Sequence, residues 1–85
     1  MYFAVILMSG TVQMPPEAGP LIIGYARSFP NDYAVLPVVN DLDRWRDMCA
    51  QLGCMWDCVE VTEQWDDGTW KLPTLEIKVP AFGGA

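Results

Sequence analysis

The chain has 85 residues, of which 52% are hydrophobic, and 11 acidic against 5 basic residues give it a net charge of −6. This length suits one domain, since split cores need far longer chains, and the apolar fraction excludes general disorder. A protein with a pI near 4.1 is repelled by nucleic acid and anionic membranes, so the charge argues against binding either and favours basic protein surfaces.

The charge imbalance is concentrated in residues 41–67, which hold eight acidic and two basic residues. All four Trp and all three Cys lie between Trp45 and Trp70. This segment therefore concentrates the residue types that most often take part in binding or catalysis.

The amino-terminal third predicts a strand followed by a loop. Residues 2–8 are continuously apolar, as in a central strand covered on both faces, and they are too few to span a bilayer. Residues 9–20 include Pro15, Pro16 and Gly19, which disfavour both helix and sheet and predict a loop. No basic segment or cleavage site accompanies the first strand, so we expect no export signal and a cytoplasmic location.

Two further strands are predicted before the acidic segment. Residues 21–28 form the second strand, with Gly24 as a bulge or a point of close approach. Residues 29–33 have turn chemistry, and residues 33–39 return antiparallel to the second strand. Pro37 cannot donate to a ladder, which predicts an edge or a bulge there.

The firmest prediction is an amphipathic helix that Asn40 or Asp41 caps and that Gly53 ends in a left-handed conformation. The apolar side chains recur at three- and four-residue spacing and form one stripe: Leu42, Trp45, Met48, Cys49 and Leu52.

The last part predicts a hairpin of residues 56–65 and 69–79. A two-residue loop would pair Asp66 with Thr69, whereas a three-residue loop with a left-handed Gly68 would pair Trp65 with Thr69. The latter register collects the apolar residues on one face, so the pattern favours it, and a bulge at Pro73 is the alternative that would restore the same phase. That face would carry Val59, Val61, Trp65, Leu75, Ile77 and Val79.

The order of these elements predicts an α+β fold in which one helix packs on one face of a mainly antiparallel sheet of about five strands. The order is β-β-β-α-β-β. We expect a single domain over residues 1–80 and a flexible tail over residues 81–85.

The chemistry of the chain disfavours catalysis. Without His, neither a cysteine nucleophile nor a serine has an evident base, and a zinc site built on Cys49, Cys54 and Cys58 would lack a fourth ligand of the usual kind. A disulfide would leave one thiol unpaired, so small buried hydrophobes are the favoured interpretation. Asp66 and Asp67 could hold a divalent ion, but before glycine they are ordinary turn residues. We expect no cofactor and no metal.

The hairpin carries the candidate binding site. If the helix covers the valine face, two indole rings lie on the other face among carboxylates, which is the composition of an interaction hot spot. The alternatives are that a second layer covers the rings and that the charge is merely solvated. The candidate residues are Trp56, Glu60, Glu63, Asp66, Asp67 and Trp70.

The sequence therefore predicts a non-enzymatic protein that docks an acidic, Trp-bearing face on a basic, nucleic-acid-handling surface of a partner. In size, acidity and lack of catalytic residues it resembles the small inhibitors that phages encode against host defence, including anti-CRISPR proteins, a likeness of general character that covers no motif. One alternative is a homo-oligomeric module that pairs through residues 33–39 or the hairpin. The other is a thiol- or metal-dependent enzyme that uses Cys54, Cys58 or Asp66.

Overall fold

The computed structural model describes residues 1–8, 14–29 and 34–73. The elements in chain order are β1 (Tyr2–Leu7), a 3₁₀ helix (Pro16–Leu21), β2 (Ile22–Arg27), β3 (Leu36–Val39), α1 (Leu42–Leu52), β4 (Trp56–Val61) and β5 (Trp70–Lys71). They form a small α+β domain, which confirms the predicted fold class and element order. The centre of the predicted turn at 29–33, the strand beyond Pro73 and the tail fall outside the described residues.

The five strands form one mixed sheet in the order β4-β1-β3-β2-β5. β1 is antiparallel to both of its neighbours, and its Ala4 and Val5 are buried on opposite sides of the sheet. This confirms the prediction that an uninterrupted apolar run forms a central strand. β2 and β3 are antiparallel, as predicted, whereas β5 runs parallel to β2. The prediction that residues 56–65 pair along their length with the strand that starts at residue 69 is wrong, because β4 ends at Val61 and lies at the other end of the sheet from β5.

The helix α1 begins and ends where the sequence predicts. The Asp41 side chain accepts a hydrogen bond from the backbone N–H of Arg44 at 3.1 Å, and Gly53 ends the helix with φ of 70°. Both arrangements satisfy backbone groups that the helix itself leaves unpaired. In the described parts of the chain, no helix is long and apolar enough to cross a membrane.

The helix packs on the side of the sheet that carries Trp56 and Cys58, which we call the helix side. Its buried residues Trp45, Met48 and Cys49 form one cluster with Val5 and Val39, and Trp56 and Cys58 pack against that cluster. The condition for placing Trp56 and Trp70 on an open face, a helix on the valine face, is therefore not met. β4 is apolar on both sides, so its alternation could not decide which side the helix would take.

The valine side of β4 is covered by the curl of the sheet. Val61 belongs to a second buried cluster, with Ala4, Ala26 and Val38, and the partly buried Val59, Trp70 and Leu72 pack against it. Trp70 pairs with Ala26 of β2 and, through an isolated antiparallel bridge, with Gln64 beyond β4. The two outer strands of the sheet are therefore brought together by the hairpin that connects them.

Three glycine and proline predictions have different outcomes. Gly24 follows a register shift between β2 and β3, and a Cβ there would lie 3.4 Å from Nε1 of Trp70, so both the bulge and the close approach are confirmed. The loop predicted over residues 9–20 is wrong from Pro16 onward. A 3₁₀ helix starts there, because proline at the first helical position needs no N–H donor and has a suitable φ.

Pro37 does not lie in an edge strand, since β3 runs between β1 and β2. It pairs with Tyr25 of β2, and the ladder to β1 covers only Val38 and Val39. The missing N–H therefore breaks no pair with β1, which explains how proline fits in an internal strand.

Candidate protein-binding surface

The tip of the hairpin, residues 63–71, has the predicted three-residue turn. The N–H of Trp65 donates to the carbonyl of Thr69 at 2.7 Å, and the N–H of Gly68 donates back to the carbonyl of Trp65 at 2.9 Å. Gly68 has φ of 92°, a conformation that L-residues rarely adopt. The register with Trp65 opposite Thr69 is thereby confirmed.

Asp67 holds this turn in place. Its Oδ1 accepts hydrogen bonds from the backbone N–H of Thr69 at 3.0 Å and from the Thr69 hydroxyl at 2.6 Å. Its other oxygen forms an ion pair with the guanidinium of Arg27, whose Nε also donates to the Thr69 hydroxyl at 3.2 Å. The hydrogen bonds from Thr69, and then Arg27, hold the pKa of the Asp67 carboxyl below its usual value.

Trp65 is tied to the end of β2. Its indole N–H donates to the backbone carbonyl of Arg27 at 3.1 Å, and the ammonium of Lys71 lies 4.8 Å from the centre of its ring. Lys71 also approaches the Glu63 carboxylate at 3.8 Å. Trp65 is half-buried and packs in neither hydrophobic cluster, so the prediction that it shares a core face with the valines is wrong.

The tip keeps excess negative charge despite these pairs. Asp66 and Glu60 are exposed and have no ion-pair partner in residues 1–8, 14–29 and 34–73. Two shallow grooves that share Lys71 meet at the tip, one lined by Asp66 and Asp67 and the other by Glu60 and Glu63. Among the described residues, four carboxylates thus face two cations, Arg27 and Lys71, and two negative charges remain uncompensated.

The structure gathers the four predicted carboxylates but separates the two predicted rings. Trp56 is half-buried on the helix side, where it packs against the helix cluster. Trp70 is half-buried on the opposite side, where it stacks on Tyr2 with the ring centres 4.6 Å apart and the planes at 29°. A single partner surface cannot contact both rings across the sheet. Glu63, Asp66 and Asp67 remain together at the tip, and Glu60 of β4 lines the adjoining groove.

Sequence reasoning missed the aromatic residues nearest the tip. The hairpin pattern predicts a core position for Trp65, and no sequence prediction covers Tyr25 of β2, which is 48% exposed. Alternation along β2 was a usable signal: once Ala26 is placed inside, Tyr25 and Arg27 must point to the other side.

The three cysteines are free thiols, with Cys49 buried and Cys54 and Cys58 half-buried. Burial raises the pKa of Cys58, and the neighbouring carboxylate of Asp57 raises it further. The pKa of Cys49 is raised by burial and by the nearby Cys54. A raised pKa leaves less thiolate, so it lowers the reactivity of these two thiols.

No group of three His, Cys, Asp or Glu side chains in the described ranges has a geometry that could hold a metal ion. Comparison of the chain with protein-family models, with curated proteins and with solved structures found no match. The surface therefore has to be interpreted from its own chemistry.

Proposed function

We propose that this protein is a non-enzymatic binding module that docks its acidic hairpin tip on a basic surface of another protein. The observation that carries the proposal is the fixed tip, where the Asp66 carboxylate stays unpaired among the described residues in the groove that the half-buried ring of Trp65 lines. Glu60, also unpaired among the described residues, lines the adjoining groove.

The geometry favours binding because the tip is ordered before a partner arrives. The hydrogen bonds of Asp67 and of the Trp65 indole fix the turn and the ring, so little conformational entropy is lost on docking. Carboxylates that point into solvent attract a cationic partner over a distance and orient it. An indole at the centre of such a surface supplies apolar burial, as tryptophan does at hot spots.

The partner that fits this surface is a cytoplasmic protein that uses Lys and Arg to hold nucleic acid. Carboxylates that occupy such a site would displace the phosphate backbone, so the module would act as an inhibitor. The resemblance in size and acidity to phage-encoded inhibitors of host defence points the same way.

The test is affinity capture from a native cell extract, read by mass spectrometry, with two matched charge-reversal variants. Glu60→Lys/Asp66→Lys changes the tip, and Glu17→Lys/Asp47→Lys makes the same change in net charge on the 3₁₀ helix and α1. We expect wild type and the second variant to retain a basic protein that the first variant loses. Capture should also weaken as salt is raised, because exposed charges are screened.

Equal capture by the two variants would contradict the proposal, since the net charge alone would then explain binding. The inhibitory role is tested with the captured partner, whose binding to nucleic acid should fall as wild type is added. Full nucleic-acid binding at saturating wild type would remove inhibition while leaving the binding role.

A further inference from the structure

Three exposed apolar residues lie on β2 or just before β3, and we call them the apolar strip. Ile23, Tyr25 and Val35 are 46%, 48% and 44% exposed. They are large side chains on or beside the ordered strands of the sheet, so their exposure does not arise from a chain end.

Tyr25 of the strip points to the helix side of the sheet but lies beyond the helix. A Cβ on Gly24 would point at Trp70, on the opposite side, so the next residue, Tyr25, points away from Trp70. Ile23 is the extra residue of the bulge between Ile22 and Gly24. On the same helix side, Ile22 and Val39 pack against the helix cluster. The helix therefore covers one end of the β2–β3 pair and leaves the strip open among the described residues.

The strip is continuous with the hairpin tip. Arg27 is the next residue after Tyr25 on the same side of β2, about 7 Å along the strand. Its guanidinium binds Asp67 and Thr69, and its register partner in β5 is Lys71. The antiparallel register of β2 and β3, continued by one pair from Ala26 and Leu36, places Val35 opposite Arg27. Among the described residues, Arg27 thus lies between the apolar side chain of Tyr25 and the carboxylate of Asp67.

We propose that the apolar strip and the hairpin tip form one docking surface, and that its occupant is a basic protein segment that carries apolar side chains. The proposal rests on the binding role proposed above, and it adds the surface on which the partner's apolar side chains would pack. Charge complementarity selects the occupant, because the strip ends at a tip where the described residues leave two negative charges uncompensated. Lys or Arg of the segment would meet the tip while its apolar side chains cover Tyr25.

A second copy of the chain is a poorer occupant for the same reason. Two copies related by a twofold axis would place the same patch on both sides of the contact. Such a contact would bring two acidic tips near each other in molecules that each carry a net charge of −6. Like charges opposed across an interface are unfavourable.

The test uses three defined peptides and ¹⁵N-labelled protein followed by NMR. The first peptide alternates Lys with Leu, the second alternates Glu with Leu, and the third alternates Lys with Ser. We expect the Lys/Leu peptide to bind with a Kd in the micromolar range and to shift the amides of residues 23–27 and the indole N–H of Trp65. The Glu/Leu peptide should not bind, and the Lys/Ser peptide should bind at least about tenfold more weakly.

Matched variants assign the binding to the strip. Ile23→Ser/Tyr25→Ser removes two exposed apolar groups from the strip, and Leu52→Ser/Met55→Ser removes two with exposures of 43% and 67% elsewhere. The first pair should weaken the Lys/Leu peptide about tenfold, and the second should leave it unchanged. Val35→Ser is the second variant on the strip, and the amide spectrum of each protein verifies its fold.

Three results would overturn the proposal: no binding of the Lys/Leu peptide, equal effects of the two paired variants, or a stable dimer by sedimentation that Ile23→Ser/Tyr25→Ser dissociates. The dimer would identify a second copy as the occupant. If Glu60→Lys/Asp66→Lys abolishes capture of a natural partner but Ile23→Ser/Tyr25→Ser does not, the strip is irrelevant and the binding role stands. If neither variant affects capture, both proposals are wrong.

Discussion

Trp45 offers a quantitative test of the helix–sheet core. It is fully buried on α1, yet its indole N–H has no acceptor among the described residues. Burying a donor without a partner costs about 1–3 kcal/mol, because the group loses its hydrogen bond to water. The substitution Trp45→Phe removes this N–H and keeps an aromatic ring at the centre of the helix cluster.

The two effects of Trp45→Phe nearly cancel. The smaller ring buries roughly 40 Å² less apolar surface, which costs about 1 kcal/mol. A residual cavity of roughly 40 Å³ costs about 1 kcal/mol more if the core does not relax. Relief of the unpaired donor offsets most of this, so we expect the free energy of unfolding to change by less than about 1 kcal/mol. Trp45→Ala, which removes the whole ring, should cost about 3–5 kcal/mol.

The assay is urea unfolding followed by far-ultraviolet circular dichroism, with Trp65→Phe as the matched control. The Trp65 indole does have an acceptor, the carbonyl of Arg27 at 3.1 Å. Its loss should cost about 1 kcal/mol for the hydrogen bond. If Trp45→Phe lowers the free energy of unfolding by more than about 2 kcal/mol, the Trp45 N–H is hydrogen-bonded in the folded protein and this reasoning is wrong.

Three further predictions concern the turn and the thiols. Because the folded-state pKa of Asp67 is lowered, its carboxylate should stabilise the fold above pH about 4. This contribution should be lost as the pH falls through the lowered pKa. In acid denaturation series, the difference in stability between wild type and Asp67→Asn should therefore vanish at low pH. Gly68→Ala should cost about 1 kcal/mol in urea unfolding from its positive φ alone, since a Cβ there meets nothing within 4 Å, whereas Gly19→Ala, equally open and without a positive φ, should cost nothing. Cys58 and Cys49 should be alkylated by iodoacetamide more slowly in the folded than in the urea-unfolded protein at pH 8, and equal rates measured by mass spectrometry would exclude the raised pKa values.

The sequence predicts correctly the elements that depend on residues close together in the chain. The helix follows from the cap at Asp41, the apolar stripe and Gly53, and all three operate within a few residues of chain. The uninterrupted apolar run of β1 required cover on both sides, which only an internal strand provides. The turn at Gly68 followed from its φ requirement and from the parity of the flanking residues.

Strand neighbours and sheet sides could not be predicted because they depend on contacts distant in sequence. No residue near Trp70 in the sequence indicates that Trp70 pairs with Ala26 of β2 instead of extending a ladder with β4. β4 is apolar on both sides, so the choice between burying Trp56 under the helix and burying Val61 there depends on the curl of the whole sheet. With the helix on the side that carries Trp56, this ring packs against the helix cluster and is not a surface ring.

The sequence predicts the acidic residues of the candidate site but not the exposed apolar residue Tyr25 beside it. Asp66 and Asp67 lie at the tip because aspartate before glycine favours a turn, and a turn is exposed. Tyr25 was missed because its exposure depends on where α1 stops covering the sheet, which the sequence of β2 does not contain.

The bridge from Gln64 to Trp70 and the pairing of Trp70 with Ala26 have a mechanical consequence. The sheet can uncurl only if the pairs of Trp70 with Gln64 and with Ala26 break, so the tip connects β2 to the segment that follows β4. A molecule that binds the tip would keep both ends of the sheet together. Its binding energy would stabilise the closed sheet, so strands that it does not contact would also open more slowly.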